Sequence, residues 1–270
     1  MRDLDAYVAA ALAAADVAGA VIRPFFRAGV GAELKSDASP VTIADRTAER
    51  ALRAVLAERF PDHGILGEEF GLENPTAGLR WVLDPIDGTR AFITGRPTFG
   101  TLIALLDGDT PILGVIDQCI SGERWLGVAG RETVFTGPAA NPIASPIGGR
   151  RCARLADAEL SCTSPDMFEP ADLPAWGRLR AAVKRTSWGG DCYAHGLVAI
   201  GQIDIVAEAT MKVWDWAALV PVVEGAGGRV TDWQGHKLDA NGNGQVISVG
   251  DASLLAEAVA LLNAVTSAAD

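Results

Sequence analysis

The chain has 270 residues, 49% of them hydrophobic, enough to bury a sizeable core in one compact unit or two fused halves. Its 34 acidic against 23 basic residues give a formal charge of -11, which argues against a nucleic-acid backbone or an anionic membrane surface as the partner. Phosphate chemistry stays open, because bound divalent cations can offset a cluster of carboxylates.

Residues 3–28 set Leu4, Tyr7, Val8, Ala11, Leu12, Val21, Ile22 and Phe25 at helical spacing and predict one Ala-rich helix, closed by Gly29 and Gly31. This start lacks the basic flank and cleavage site of a signal peptide, and no run of about 18 apolar residues occurs, so the expectation is a cytoplasmic protein with no membrane span. A polar loop at 35–40, with Lys35 and Asp37, is placed to close over a site. It leads to a second helix at 44–60 that carries Asp45 in its first turn. GILGEEF at 64–70 and LRWVLDPIDG at 79–88 predict short strands that end in carboxylates, with a hairpin-like return bringing the two ends together.

From 99 to 134, short apolar runs alternate with turn residues and predict an antiparallel sheet with a hairpin at 107–110. The Pro, Gly, Ala and Ser-rich stretch at 136–154 marks a boundary between an N-terminal half, 1–136, and a C-terminal half, 137–270. Beyond it the pattern predicts a strand at 154–164, helices at 171–183 and 191–201, a strand at 203–209, a helix within 214–228 followed by a strand, a strand at 247–250 and a helix at 254–262. The four cysteines, Cys119, Cys152, Cys162 and Cys192, show no metal-ligand spacing and read as reduced, buried thiols. His63 and His236 stand in turn-like sequence and read as exposed loop histidines, while His195 reads as a partly buried helical one.

The most informative segment is Asp84-Pro85-Ile86-Asp87-Gly88-Thr89. Two carboxylates three residues apart on a strand-to-helix corner, with Pro fixing the backbone and Gly allowing close approach, can aim both acids and a main-chain carbonyl at one volume. Oxygen donors of this kind suit a hard cation such as magnesium, and the N–H groups of Gly88 and Thr89 would open a helix where phosphate is attracted. The plain alternative is an Asx turn and an N-cap. Glu68 in the GEE triplet and Asp215 in WDWAA are, taken singly, a solvated acid and a helix-start acid.

In order, SDASPVTIAD, GEE, WVLDPIDGT and WDWAALVPVVEGAGG resemble the inositol monophosphatase-like superfamily of magnesium-dependent phosphatases, along nearly the whole chain. The resemblance implies a layered α/β, αβαβα fold with metals between two fused halves, and a homodimer. It implies one magnesium ion held by Glu68, Asp84 and the Ile86 carbonyl, a second by Asp84, Asp87 and Asp215, and a third, weaker one near Glu68 and Asp45. Thr89 with Asp45 would activate the attacking water, with Glu68 assisting. Asp87, Gly88, Thr89 and Asp215 would also face the substrate phosphate.

The phrases WVLDPIDGTRAFITGRPTFGTLIAL, TSPDMF and GGDCYAHGLVAIGQIDIVAEA narrow the resemblance to its histidinol-phosphate phosphatase branch. An ammonium and an imidazole beside the phosphate call for carboxylates aimed away from the metals, and Asp191 and Glu208 fit; their plain readings are a helix N-cap and an exposed strand-end acid. His195 departs from the branch, standing where an aromatic residue is expected, as do Trp214 and Trp216 around Asp215. The rival expectations are an inositol-1-phosphate or broad sugar-phosphate phosphatase and a non-catalytic metal- or phosphate-binding module. Arg90 and Arg96 read as solvated helix-surface arginines.

Overall fold

A computed structural model describes residues 3–29, 31–35, 40–138 and 147–264. The chain runs α1 (Leu4–Ile22), β1 (Ala32–Leu34), β2 (Pro40–Thr42), α2 (Ile43–Arg59), β3 (Gly64–Gly67), β4 (Gly71–Glu73), β5 (Leu79–Asp87), α3 (Thr89–Ile93), β6 (Gly100–Asp107), β7 (Thr110–Gln118), β8 (Glu123–Val128) and β9 (Val134–Thr136). It continues with β10 (Glu159–Cys162), α4 (Leu173–Ala182), β11 (Arg185–Trp188), α5 (Asp191–Ala199), β12 (Ile205–Glu208), α6 (Val213–Trp216), α7 (Leu219–Gly225), β13 (Arg229–Thr231), β14 (Val246–Val249) and α8 (Leu255–Asn263).

Two sheets organise these elements in an α/β layered architecture. The first has seven strands in the order β4-β3-β5-β6-β7-β8-β9, the second five in the order β11-β10-β12-β14-β13. Three apolar clusters show the layering. Alanines of α1 and α2 pack on one face of the large sheet, with Trp81, Phe99 and Ile103. Residues of α5, α6 and α7 fill the space between the sheets, where Val82, Leu102 and Ala104 meet Val198, Trp216 and Val206. Trp176 and Leu179 of α4 and Leu262 of α8 cover the outer face of the small sheet. Helix, sheet, helix, sheet, helix is the αβαβα order.

Several elements differ from the sequence expectation for local reasons. The first helix ends at Ile22 and tightens into a 3-10 turn at Arg23–Phe25, because Pro24 cannot continue the hydrogen-bond ladder. Leu4–Phe25 is long and apolar enough to cross a membrane by length and composition, with its apolar run interrupted by Asp5, Asp16 and Arg23. Here Ala10, Ala14, Ala18 and Ile22 are buried in the core against α2 and the large sheet. The strand at 154–164 shrinks to Glu159–Cys162 behind a 3-10 turn at Leu155–Asp157. The helix after Asp215 breaks into α6 and α7 because Pro221 has no N–H for the Ala217 carbonyl.

Glu68 and Asp84 are not joined by a hairpin. β3 and β5 are parallel neighbours, and β4 turns back along the outer edge of β3 before the chain crosses to β5. Parallel pairing puts the C-terminal ends of β3 and β5 side by side, which is where both carboxylates emerge. The predicted boundary at 136–154 falls partly outside the described residues.

Candidate active site

The Asp84–Asp87 segment shows how a strand can aim two acids three residues apart at one point. In a regular strand residues i and i+3 face opposite sides of the sheet. Here Asp84 pairs with Leu102 and Asp87 with Gly100, so two residues of β5, Pro85 and Ile86, oppose the single Thr101. This bulge shifts the phase by one residue and turns both carboxylates to the same side. Pro85 is tolerated mid-sheet because the bulge needs no ladder N–H there, and the Thr101 hydroxyl donates to its carbonyl at 2.8 Å. Asp84 also accepts the Ile86 N–H at 3.0 Å, so the Asx turn is present and fixes the carboxylate.

Asp215 reaches the same point from the other half. It sits in the first turn of α6 and accepts the Lys212 N–H at 2.6 Å, so Lys212 rather than Asp215 is the N-cap and the acid stands three residues inside it. Ligand oxygens of Asp84, Asp87 and Asp215 all lie within 4.8 Å of one another. Burial first, and then the neighbouring carboxylates, push Asp84 and Asp87 well above the usual carboxylate range. Burial likewise raises Asp215 to about 7, with Glu68 and Glu208 adding to the rise. Three hard oxygen donors that repel one another when ionised fit a divalent cation of the magnesium type, whose charge would reverse that penalty.

Glu68 stands at this edge through a bond from its N–H to the Leu83 carbonyl at 3.2 Å. The Lys35 ammonium lies 2.7 Å from Glu68 and 2.5 Å from Glu69, so the first residue of the predicted loop does meet the site. Asp37 lies outside the described residues. Behind the GEE turn is a residue that sequence reasoning missed. Glu49 of α2, fully buried, accepts the N–H groups of Glu69 (2.7 Å) and Phe70 (3.2 Å) and the Arg53 guanidinium (2.8 Å), fixing the turn that presents Glu68.

Asp45 is split between two tasks. One oxygen accepts the Thr42 N–H at 2.8 Å and the Thr42 hydroxyl at 2.5 Å, which caps α2. The other lies 3.4 Å from the Thr89 hydroxyl, itself 3.2 Å from the Ile86 carbonyl. Burial raises the Asp45 carboxyl, against the Thr42 hydrogen bonds that lower it. A carboxylate beside a hydroxyl at the edge of an acid cluster can orient and deprotonate a water.

The helix-start corner brings the second acid group in. Gly88 has φ +86°, and a Cβ there would lie 2.8 Å from Asp191 Cγ, so only glycine lets the β5–α3 corner pass this close to α5. Asp191 opens α5 with a φ of 45°. Its side chain does not cap the helix; it accepts the Thr98 hydroxyl at 3.0 Å, and the next N–H, of Cys192, donates to Asp87 at 2.7 Å. Burial lifts the Asp191 carboxyl to about 6.

Glu208, whose plain reading is an exposed strand-end acid, is buried. It accepts the Thr163 N–H at 2.8 Å and meets His195 Nε2 at 3.3 Å. Burial works to raise it, but the His195 and Thr163 hydrogen bonds outweigh that and hold it below the usual range. Asp87, Asp191, Glu208 and Asp215 line one cavity of about 120 Å³ with Thr163 and Met167. A wider mouth of about 670 Å³ adds Glu68, Gly88, Thr89 and the exposed Arg90 and Arg96. His195 stands behind Glu208 and is fully buried; His236 is exposed, as expected. His63 is not a loop histidine in solvent: its ring stacks on Phe60, centroids 4.8 Å apart, and packs near Tyr7 and Trp81, and burial lowers its pKa.

The same arrangement has relatives. Over 238 residues, 87% of this chain and 67% of the other, the chain is 47% identical to the bifunctional phosphatase IMPL2, chloroplastic, of Arabidopsis thaliana. It is 36% identical to a histidinol-phosphatase of Chlorobaculum parvum, covering 87% of this chain and 89% of that one. Among solved structures, an inositol monophosphatase from Zymomonas mobilis superposes with a TM-score of 0.87 at 45% identity, over 98% of this chain and 100% of that one. The inositol monophosphatase family matches residues 3–266, which take in both sheets and every acid described above. A match of that extent, on a fold that gathers Asp84, Asp87 and Asp215 where the two sheets' elements meet, makes the chain a phosphatase of the inositol monophosphatase family.

Proposed function

We propose that the protein is a magnesium-dependent phosphomonoesterase that hydrolyses L-histidinol phosphate to L-histidinol and phosphate, a step of histidine biosynthesis. The observation that carries the substrate is the pair Asp191 and Glu208, two buried carboxylates in the cavity that adjoins Asp87 and Asp215. A leaving group with an ammonium and an imidazole finds charge-assisted partners there. The likeness to a histidinol-phosphatase supports the same reading.

In this mechanism Glu68, Asp84, Asp87, Asp215 and the Ile86 carbonyl would hold two magnesium ions, with a third near Glu68 and Asp45. Bound magnesium supplies acidification of water and neutralisation of charge on the departing oxygen. Asp45 takes the proton of the attacking water, and the Thr89 hydroxyl, held between Asp45 and the Ile86 carbonyl, orients it. The N–H groups of Gly88 and Thr89 face the phosphate, and Asp191 and Glu208 hold the leaving group so that its oxygen departs in line.

A second reading, an inositol-1-phosphate phosphatase, is favoured by the likeness to the Zymomonas mobilis inositol monophosphatase. One assay decides: phosphate release with magnesium from histidinol phosphate and inositol 1-phosphate, with Asp87→Asn as control. The expected outcome is a kcat/KM ratio of roughly tenfold or more for histidinol phosphate, the scale of one charge-assisted pair, abolished with all turnover in the variant. A preference for inositol 1-phosphate overturns the substrate and keeps the metal cluster.

A further inference from the structure

Behind the cavity lies a group that the reaction does not use. His195 of α5 has no exposed surface, and its two ring nitrogens meet two different strands: Nδ1 lies 2.8 Å from the Ser248 hydroxyl on β14, and Nε2 lies 3.3 Å from Glu208 on β12. The antiparallel register sets Val206 opposite Ser248, so Ser248 and Glu208 emerge on the same face of the small sheet, toward α5. Glu208's other oxygen is taken by the Thr163 N–H.

Proton bookkeeping fixes one end of this chain. An ionised Glu208 can only accept, so Nε2 must carry a hydrogen; Nδ1 is then bonded to the buried Ser248 hydroxyl, which donates to it or accepts from it according to the ring's charge. The hydroxyl orients the ring and the ring orients the carboxylate. A carboxylate has about four acceptor positions, and Thr163 and His195 occupy two of them from the protein side. The remainder face the cavity that Asp191, Met167 and Asp215 also line.

We infer that Ser248 and His195 form a buried relay that holds the Glu208 carboxylate aimed at the leaving group, making His195 a positioning residue that sets the site's preference for a cationic leaving group. The inference rests on the proposed function above. An apolar side chain at 195 would fill the same space but leave one Glu208 oxygen without its protein donor, free to rotate away from the substrate. A neutral polyol draws far less on that carboxylate than an ammonium does. Loss of the relay therefore falls unequally on the two kinds of ester, whereas loss of ordinary packing falls on both.

The test uses the full chain with saturating magnesium and compares His195→Leu, His195→Gln and Ser248→Ala with the parent on histidinol phosphate and inositol 1-phosphate. His195→Leu should raise KM for histidinol phosphate roughly tenfold or more, the scale of one hydrogen bond to a charged group, with a smaller fall in kcat and a smaller change for the neutral ester. His195→Gln, whose amide N–H can reach the same oxygen, should recover most of the loss. Equal losses on both esters, or a Gln variant as impaired as the Leu variant, would overturn the relay.

A second measurement stands apart from turnover. The chain has three histidines, so nitrogen-labelled His195 can be assigned by its disappearance in His195→Gln. The relay requires a hydrogen on Nε2 in the parent and a shift of that resonance in Glu208→Leu. A ring hydrogen on Nδ1 alone, or no shift, overturns it. Preference of the parent for inositol 1-phosphate, together with the expected Nε2 hydrogen and shift, would discard the substrate and retain the relay.

Discussion

Gly114 and Gly127 are register partners on β7 and β8, and the backbone of α7 and its approach rests directly on the pair. A Cβ at Gly114 would lie 2.1 Å from the Ala218 carbonyl oxygen, and one at Gly127 would lie 2.2 Å from the carbonyl of Pro221. Two adjacent bare positions make a flat patch on the large sheet, and the segment that lies on it carries Asp215. The distance between the halves, and with it the reach of Asp215 to Asp84 and Asp87, depends on side chains that are missing. Gly127→Ala should lower stability by about 2 kcal/mol or more, as overpacking against backbone does, with a matching loss of magnesium affinity. Thermal unfolding and magnesium titration would read both; an unchanged melting temperature would mean that α7 is not held as described.

The acid cluster predicts the pH dependence of the metal-free protein. Burial and mutual repulsion raise Asp84 and Asp87 well above their ordinary values and Asp215 to about 7. Raised folded-state values mean that the folded chain binds more protons than the unfolded one between the two ranges, so this stability is present at low pH and lost as pH rises through neutrality. With magnesium the carboxylates are wanted ionised, so the sign reverses. In chelator the melting temperature should fall from about pH 6 to about pH 8, and the rise on adding magnesium should be larger at the higher value. Equal magnesium shifts at both would show that these three acids do not share the ion.

Much of the site was readable because it is local. Asp84 and Asp87 lie within one six-residue string in which Pro85 and Gly88 announce the bulge and the corner, although the partners that complete them, Thr101 and Cys192, are remote. Asp215, Asp191 and Glu208 are far away in sequence, and resemblance alone brought them in. What stayed hidden depends on contacts with no local signature. Glu49 lies on a polar stripe of α2 and looks like any solvated glutamate, yet the GEE turn folds down over it. The Ser248 hydroxyl gains meaning only once β14 lies beside β12. β4 is three residues long, too short to show a period, so the parallel pairing of β3 with β5 could not be foreseen. His63 looked exposed because it follows Pro61 and Asp62, but Phe60 three residues earlier folds back to stack on it.

Glu49 yields a prediction about a residue that touches no substrate. Its two oxygens satisfy two backbone N–H groups and one buried guanidinium. Glu49→Leu would strand all three donors, at a cost of about 3 kcal/mol or more, the range for breaking a buried pair from one side. Glu49→Gln keeps an acceptor for the turn and should cost less, while still loosening Glu68. The check is chemical unfolding of both variants, together with magnesium affinity. A Leu variant as stable as the parent would remove the anchor from the account of Glu68.

Asp45 separates capping from catalysis within one side chain. The oxygen toward Thr42 caps α2, and the other, toward Thr89, is the proposed proton acceptor. Asp45→Asn can keep its amide oxygen on the Thr42 N–H while presenting an NH₂ group to Thr89, which leaves the cap and abolishes the base. Stability and KM should then stay close to the parent, and kcat should fall by about 10²–10⁴, the usual contribution of a positioned general base. Steady-state kinetics beside a melting curve distinguishes the roles. A variant that melts early with a proportionate loss of activity would make Asp45 a capping residue and move the base elsewhere, whereas a cold kcat in a fully stable protein would fix it at the Asp45 oxygen that faces Thr89.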